Sequence, residues 1–108
     1  MTTATGTDGA TGPLPADHIM LSPERLGAWR LPNRIPVAPM TRTRAAVDGT
    51  PSELMAEFYA QRATSGMIIS EGTFPSAVGR AYPNQPGLHI DGHQTGWACV
   101  ADQVHAAG

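Results

Sequence analysis

Lysine is absent from this sequence: all seven basic residues are arginines, and they are scattered without a cluster. Against nine acidic residues they leave a formal charge of −2. Recognition of phosphate chains needs locally massed cations, so nucleic acids and other polyanions are excluded as partners. Cysteine is nearly absent. The single Cys99 excludes a disulfide framework and a Cys-based zinc site, fits a reducing, cytoplasmic compartment, and reads as a small packing residue on a helix. There is no long hydrophobic run. The first residues have neither a basic region nor an apolar one of the kind a signal peptide needs, and no stretch is long enough to span a bilayer, so no membrane partner is expected. What is present is an apolar content of 41% in 108 residues, which suits one small globular unit with a modest core.

Residues 1–18 are mostly Thr, Gly, Ala and Pro with little to bury and read as a disordered tail; residues 19–108 read as the ordered part. Gly6, Gly9 and Gly12 do not make a phosphate loop, because no strand precedes them and no helix follows. From Glu24 to Ile35, turn formers at Gly27 and Pro32-Asn33 separate apolar positions, which suits a small hairpin. "IPVAPM" then reads as a short strand, paired from Val37 to Pro39, because Pro36 cannot donate to a ladder.

Two helices are signalled clearly. In "TPSELMAEFYAQRATSG", Thr50 is expected as N-cap, Pro51 at the first helical position and Glu53 as the capping-box partner. Leu54, Met55, Phe58, Tyr59 and Ala63 are expected on the inner face, with Gly66 as the stop. "MIISEGT" follows as a strand buried on both faces. Asp91 is expected to cap a second helix that turns Trp97, Val100, Ala101 and Val104 inward. The order strand, helix, strand, helix implies a right-handed parallel arrangement with helices outside. Two such strands cannot make a covered sheet, so the sequence reads as ending in mid-fold. In a β/α barrel, function resides at the C-terminal ends of the strands, where "PMTRTR" and "SEGT" both fall.

The blocks "LPNRIPVAPMTRTRA", "PSELMAEFYAQRATSGMIISEGT" and "GRAYPNQPGLHIDGHQTGWACVADQVHAAG" together resemble the opening portion of the Old Yellow Enzyme family, the FMN-dependent NAD(P)H:flavin oxidoreductases and ene-reductases. The resemblance runs from about Leu26 to Gly108, and three separated blocks agree in order and spacing. It implies the N-terminal portion of an α/β, (β/α)8 TIM barrel: a bottom hairpin plus two strand-helix units, incomplete as a barrel. It also implies FMN at the barrel mouth, NAD(P)H as reductant and a small electron-poor alkene as substrate.

By position, the resemblance assigns Pro39, Met40 and Thr41 to the flavin ring, the Thr41 hydroxyl bonding near a ring carbonyl and tuning the potential. Gly72 matches the small residue that leaves room for the ring's polar edge, and Tyr82 an aromatic of the substrate pocket. Each has a plainer reading, as a turn cap, a strand-end glycine and a loop aromatic; the register of the three blocks favours the site. Arg42 and Arg44 read as solvated or paired rim residues and stay outside it. His89 and His93 are four apart, but the expected helix start at Asp91 lies between them, so they do not form a metal pair. No catalytic residue is expected in this chain. The groups that hold the flavin's other edge, bind the substrate oxygen and protonate the alkene come from later strands of a barrel of about 250 residues. The chain alone is therefore expected to be inactive, with a half-barrel association module or a nonfunctional truncated remnant as alternatives.

Overall fold

A computed structural model describes residues 12–108, which divide into two units, the chain up to Arg34 and Ile35–Gly108. The tail expected over residues 1–18 lies, for residues 1–11, outside the described residues. In the first unit a short 3-10 turn, Ile19–Leu21, is capped by His18, whose ring nitrogen accepts from Met20 N at 3.1 Å. Strands β1 (Glu24–Leu26) and β2 (Trp29–Leu31) pair antiparallel around Gly27, which takes φ +61° as a tight turn demands. Arg34 pairs with Glu24 at 3.2 Å.

The second unit holds the strand-helix repeat. Strand β3 (Pro36–Val37) lies parallel to β4 (Met67–Ile68), with Pro36 opposite Met67 and Val37 opposite Ile68. Pairing thus begins one residue before the expected Val37 and stops before Ala38. The ladder tolerates Pro36 because Ile35 O and Val37 O face β4, accepting from Gly66 N at 2.9 Å and Ile69 N at 3.1 Å. Groups of the intervening residue point to the other edge, where the missing N–H is not called on.

Helix α1 (Glu53–Ala60) starts later than expected. Its N-cap is Ser52, not Thr50: the Ser52 hydroxyl accepts from Met55 N and donates to Arg44 O at 2.6 Å. Both residues suit a cap, and packing decides between them. Pro51 is buried against Gly96, where an added Cβ would lie 2.7 Å from Pro51 Cδ, so it precedes the helix instead of opening it. The buried face is Met55, Ala56 and Tyr59, while Leu54 is 56% exposed, a one-residue rotation of the expected stripe. Turns carry the chain from Gln61 to Ser65, and Gly66 hands it to β4.

Helix α2 (Asp91–Ala107) is capped at Ile90 without a side-chain bond, so Asp91 is its first helical residue, where a carboxylate still favours the positive end of the helix. Val100 is buried, and Trp97, Ala101 and Val104 are half-buried on the expected face. Val100 joins Ala45, Met55, Ala56 and Tyr59 in the core, with Phe58, Ile68, Trp97 and Val104 packed against it. Met55 is fully buried, which stabilises by about 1.5–3 kcal/mol. Cys99 is exposed, so it is not the packing residue expected. The strand β4 residues are half-buried, since the two-stranded sheet leaves its outer edges uncovered.

Candidate functional site

Beyond β3 the chain runs extended through Pro39, Met40 and Thr41, all exposed, and beyond β4 it runs through Ser70 to Gly72. These exits lie side by side because the strands are parallel and in register. Thr41 and Gly72 are thereby brought together: a Cβ on Gly72 would lie 3.6 Å from Thr41 Oγ1 and 3.6 Å from Gln85 Nε2. The Thr41 hydroxyl takes no hydrogen bond among the described residues. An exposed threonine beside a residue with no side chain forms a small shelf carrying one hydroxyl. Pro39 and Met40 belong to the same extended segment.

Gln85 was not singled out in the sequence, yet it connects this shelf to the next loop. It is buried, donates from Nε2 to Gly72 O at 3.1 Å, and accepts through Oε1 from Ala81 N at 2.8 Å and Tyr82 N at 3.3 Å. Tyr82 itself is 53% exposed, with its backbone anchored to Gln85.

Behind the shelf lies a charged cluster that sequence reasoning also missed. Glu71 is 2% exposed. The Arg42 guanidinium pairs with its Oε2, Arg42 N approaches Oε1 at 3.4 Å, and the Tyr59 hydroxyl donates to Oε2 at 2.8 Å. Glu71 N in turn donates to the Tyr59 oxygen at 3.0 Å. Arg42 also lies 3.5 Å from the Phe58 ring centroid, with Arg62 at 3.6 Å from the same ring. Of the two rim arginines, Arg42 is paired, whereas the Arg44 guanidinium, among the described residues, bonds backbone carbonyls of its own segment, Arg42 O and Thr43 O.

Burial pushes the Tyr59 phenol above its ordinary value of 10.0, and the hydrogen bond and charge of Glu71 add to the rise. A pKa raised by folding means that the folded chain holds the proton more tightly. The associated stability is complete below the unfolded value and is lost as pH climbs through the folded one. Urea midpoints measured against pH are expected to fall above about pH 10, and Tyr59→Phe should remove that alkaline loss.

The His89 and His93 rings meet edge to face, their centroids 4.9 Å apart. His93 is wholly buried, its Nε2 donating to Asp48 O at 2.7 Å and its Nδ1 accepting from His89 N at 3.3 Å. Both ring nitrogens are committed to backbone.

A parallel strand-helix repeat with polar residues at the strand exits is the pattern of a β/α barrel, a class of protein whose sites lie at the C-terminal ends of the strands. The comparisons make this specific. The family model described as NADH:flavin oxidoreductase / NADH oxidase matches residues 20–108, and the chain belongs to that family. It is 43% identical over 90 residues to 12-oxophytodienoate reductase 7 of Oryza sativa subsp. japonica, covering 82% of this chain and 23% of the relative. Among solved structures it resembles the old yellow enzyme homologue from Zymomonas mobilis, at 46% identity and TM-score 0.79, over 82% of this chain and 25% of that one. It also resembles morphinone reductase in complex with tetrahydroNAD, at 41% identity and TM-score 0.80, over 85% and 25%. The chain thus spans about a quarter of the length of these relatives, and its fold is that of the N-terminal portion of the family's (β/α)8 barrel.

Proposed function

We propose that this chain supplies the first two strand-helix units of an FMN-dependent NAD(P)H:flavin oxidoreductase that reduces electron-poor alkenes. The observation that carries the reading is the Thr41 hydroxyl, without a hydrogen-bond partner among the described residues, beside Gly72 at the paired strand exits. FMN, when bound, supplies the carrier through which hydride passes from NAD(P)H to the alkene. Thr41 would donate to a carbonyl on the polar edge of the ring. Gly72 keeps that edge accessible, because any side chain there would project from the shelf beside Thr41. Pro39 and Met40 would lie along the ring, and Tyr82, anchored through Gln85, would line the alkene pocket. With no helix among the described residues long and apolar enough to cross a membrane, and a single free cysteine, a cytoplasmic setting fits the same reading.

A donor to a ring carbonyl favours the more electron-rich, reduced ring. In the complete FMN-loaded barrel, Thr41→Ala should therefore retain the flavin and make its midpoint potential more negative. A net hydrogen bond of about 1.4 kcal/mol corresponds to about 30 mV for two electrons. Redox titration of the variant beside its parent checks this, and an unchanged potential would remove Thr41 from the ring.

A further inference from the structure

Arg42 and Glu71 are the chain neighbours of Thr41 and Gly72, the two residues of the shelf. They are joined to each other across the strand exits, and through Tyr59 to helix α1. We propose that Arg42, Glu71 and Tyr59 form a clamp whose role is to position the Thr41 hydroxyl at the flavin edge, so that Arg42 is a positioning residue for the potential of the bound cofactor. The inference rests on the proposed flavin reading and deepens it.

The geometry favours this over a purely cohesive ion pair. Past Val37 the ladder has ended, so backbone pairing no longer fixes the distance between the two exits. The spacing falls instead to the Arg42 side chain and the Arg42 N contact to Oε1 on one side, and to the Glu71 N bond to Tyr59 on the other. Arg42 cannot swing away readily. Its guanidinium is held over Phe58 at 3.5 Å and lies 4.9 Å from the Tyr59 ring centroid, and the carboxylate it meets is buried. A planar fork held by stacking defines a direction as well as a distance, which a lysine ammonium would not. Since Thr41 is the residue immediately before Arg42, a change in that direction is transmitted to its Cα.

The test uses a complete FMN-loaded barrel made by joining residues 20–108 to the remaining three quarters of the Zymomonas mobilis homologue. Arg42→Lys conserves the charge opposite Glu71 and alters only geometry. It should bind FMN stoichiometrically yet shift the midpoint potential in the negative direction, as Thr41→Ala does. In a Thr41→Ala background, Arg42→Lys should add no further shift. Glu71→Gln, which keeps the volume, provides the second variant should Arg42→Lys not fold, and its shift should likewise vanish in the Thr41→Ala background. A parent-like potential in the clamp variants, or a shift that persists without the Thr41 hydroxyl, overturns the positioning role while leaving the flavin reading intact. A barrel that never binds FMN overturns the reading itself and the clamp with it.

Discussion

Gly49→Ala is expected to lower the stability of the chain by about 2–5 kcal/mol, the sum of a left-handed backbone and an overpacked contact. Gly49 has φ +92°, and a Cβ there would lie 2.6 Å from Phe74 Cζ, 3.0 Å from His93 Nε2 and 3.2 Å from Gly87 N. None of these atoms can retreat easily. Phe74 is 3% exposed and His93 wholly buried, and Gly87 N donates to Gly49 O itself at 2.9 Å. Gly87 is closed in by the same two rings, an added Cβ lying 2.6 Å from His93 Cε1, so the cluster has no spare volume from either direction. Urea unfolding followed by Trp97 fluorescence reports on it directly, because the indole N–H donates to Gly87 O at 3.0 Å. Gly27→Ala is the control: it shares the positive φ, +61°, but meets nothing within 4 Å, and should cost only about 1 kcal/mol. A Gly49→Ala chain as stable as the Gly27→Ala chain would show that the ring cluster yields.

The 108-residue chain should purify without colour, should leave flavin fluorescence unquenched up to roughly millimolar FMN, and should not reduce an enone with NAD(P)H. Thr41 and Gly72 address one edge of a ring, and one hydrogen bond contributes only about 0.5–1.5 kcal/mol. The phosphate is the other anchor, and it needs a helix N-terminus or massed cations. The two α-helices of the described residues open on Glu53 and Asp91, carboxylates that repel a phosphate. Joined to the remainder of a family barrel, the same residues should give a yellow protein. Stoichiometric flavin on the chain alone would mean that it carries a phosphate site of its own.

The strand-helix repeat was legible because it is written in local periodicity and caps, and the inward face of α2 followed from spacing alone. The errors came where tertiary contacts choose between equally good local signals. Thr50 and Ser52 both suit a cap, and the burial of Pro51 against Gly96 selects the second. Leu54 and Ala56 both suit the inner face of α1, and the smaller one is buried. Around the candidate site, the resemblance supplied Thr41, Gly72 and Tyr82, and the structure brings the first two together and links the backbone of the third to them through Gln85. The Arg42–Glu71–Tyr59 clamp was not read out, since its members lie on three elements and their pairing is long-range. A signal existed all the same: Glu71 comes two residues after the apolar run Met67-Ile68-Ile69, where a carboxylate needs a cationic partner, and Arg42 lies past the exit of the paired strand β3.

The alternation that turns Ile35 O and Val37 O toward β4 also leaves the outer edge of β3 without an amide hydrogen at Pro36. An exposed strand edge templates the addition of foreign strands, and a proline there breaks the template. Along that edge Pro36 therefore offers an incoming strand, another copy of the same segment included, one hydrogen-bond donor fewer than any other residue would.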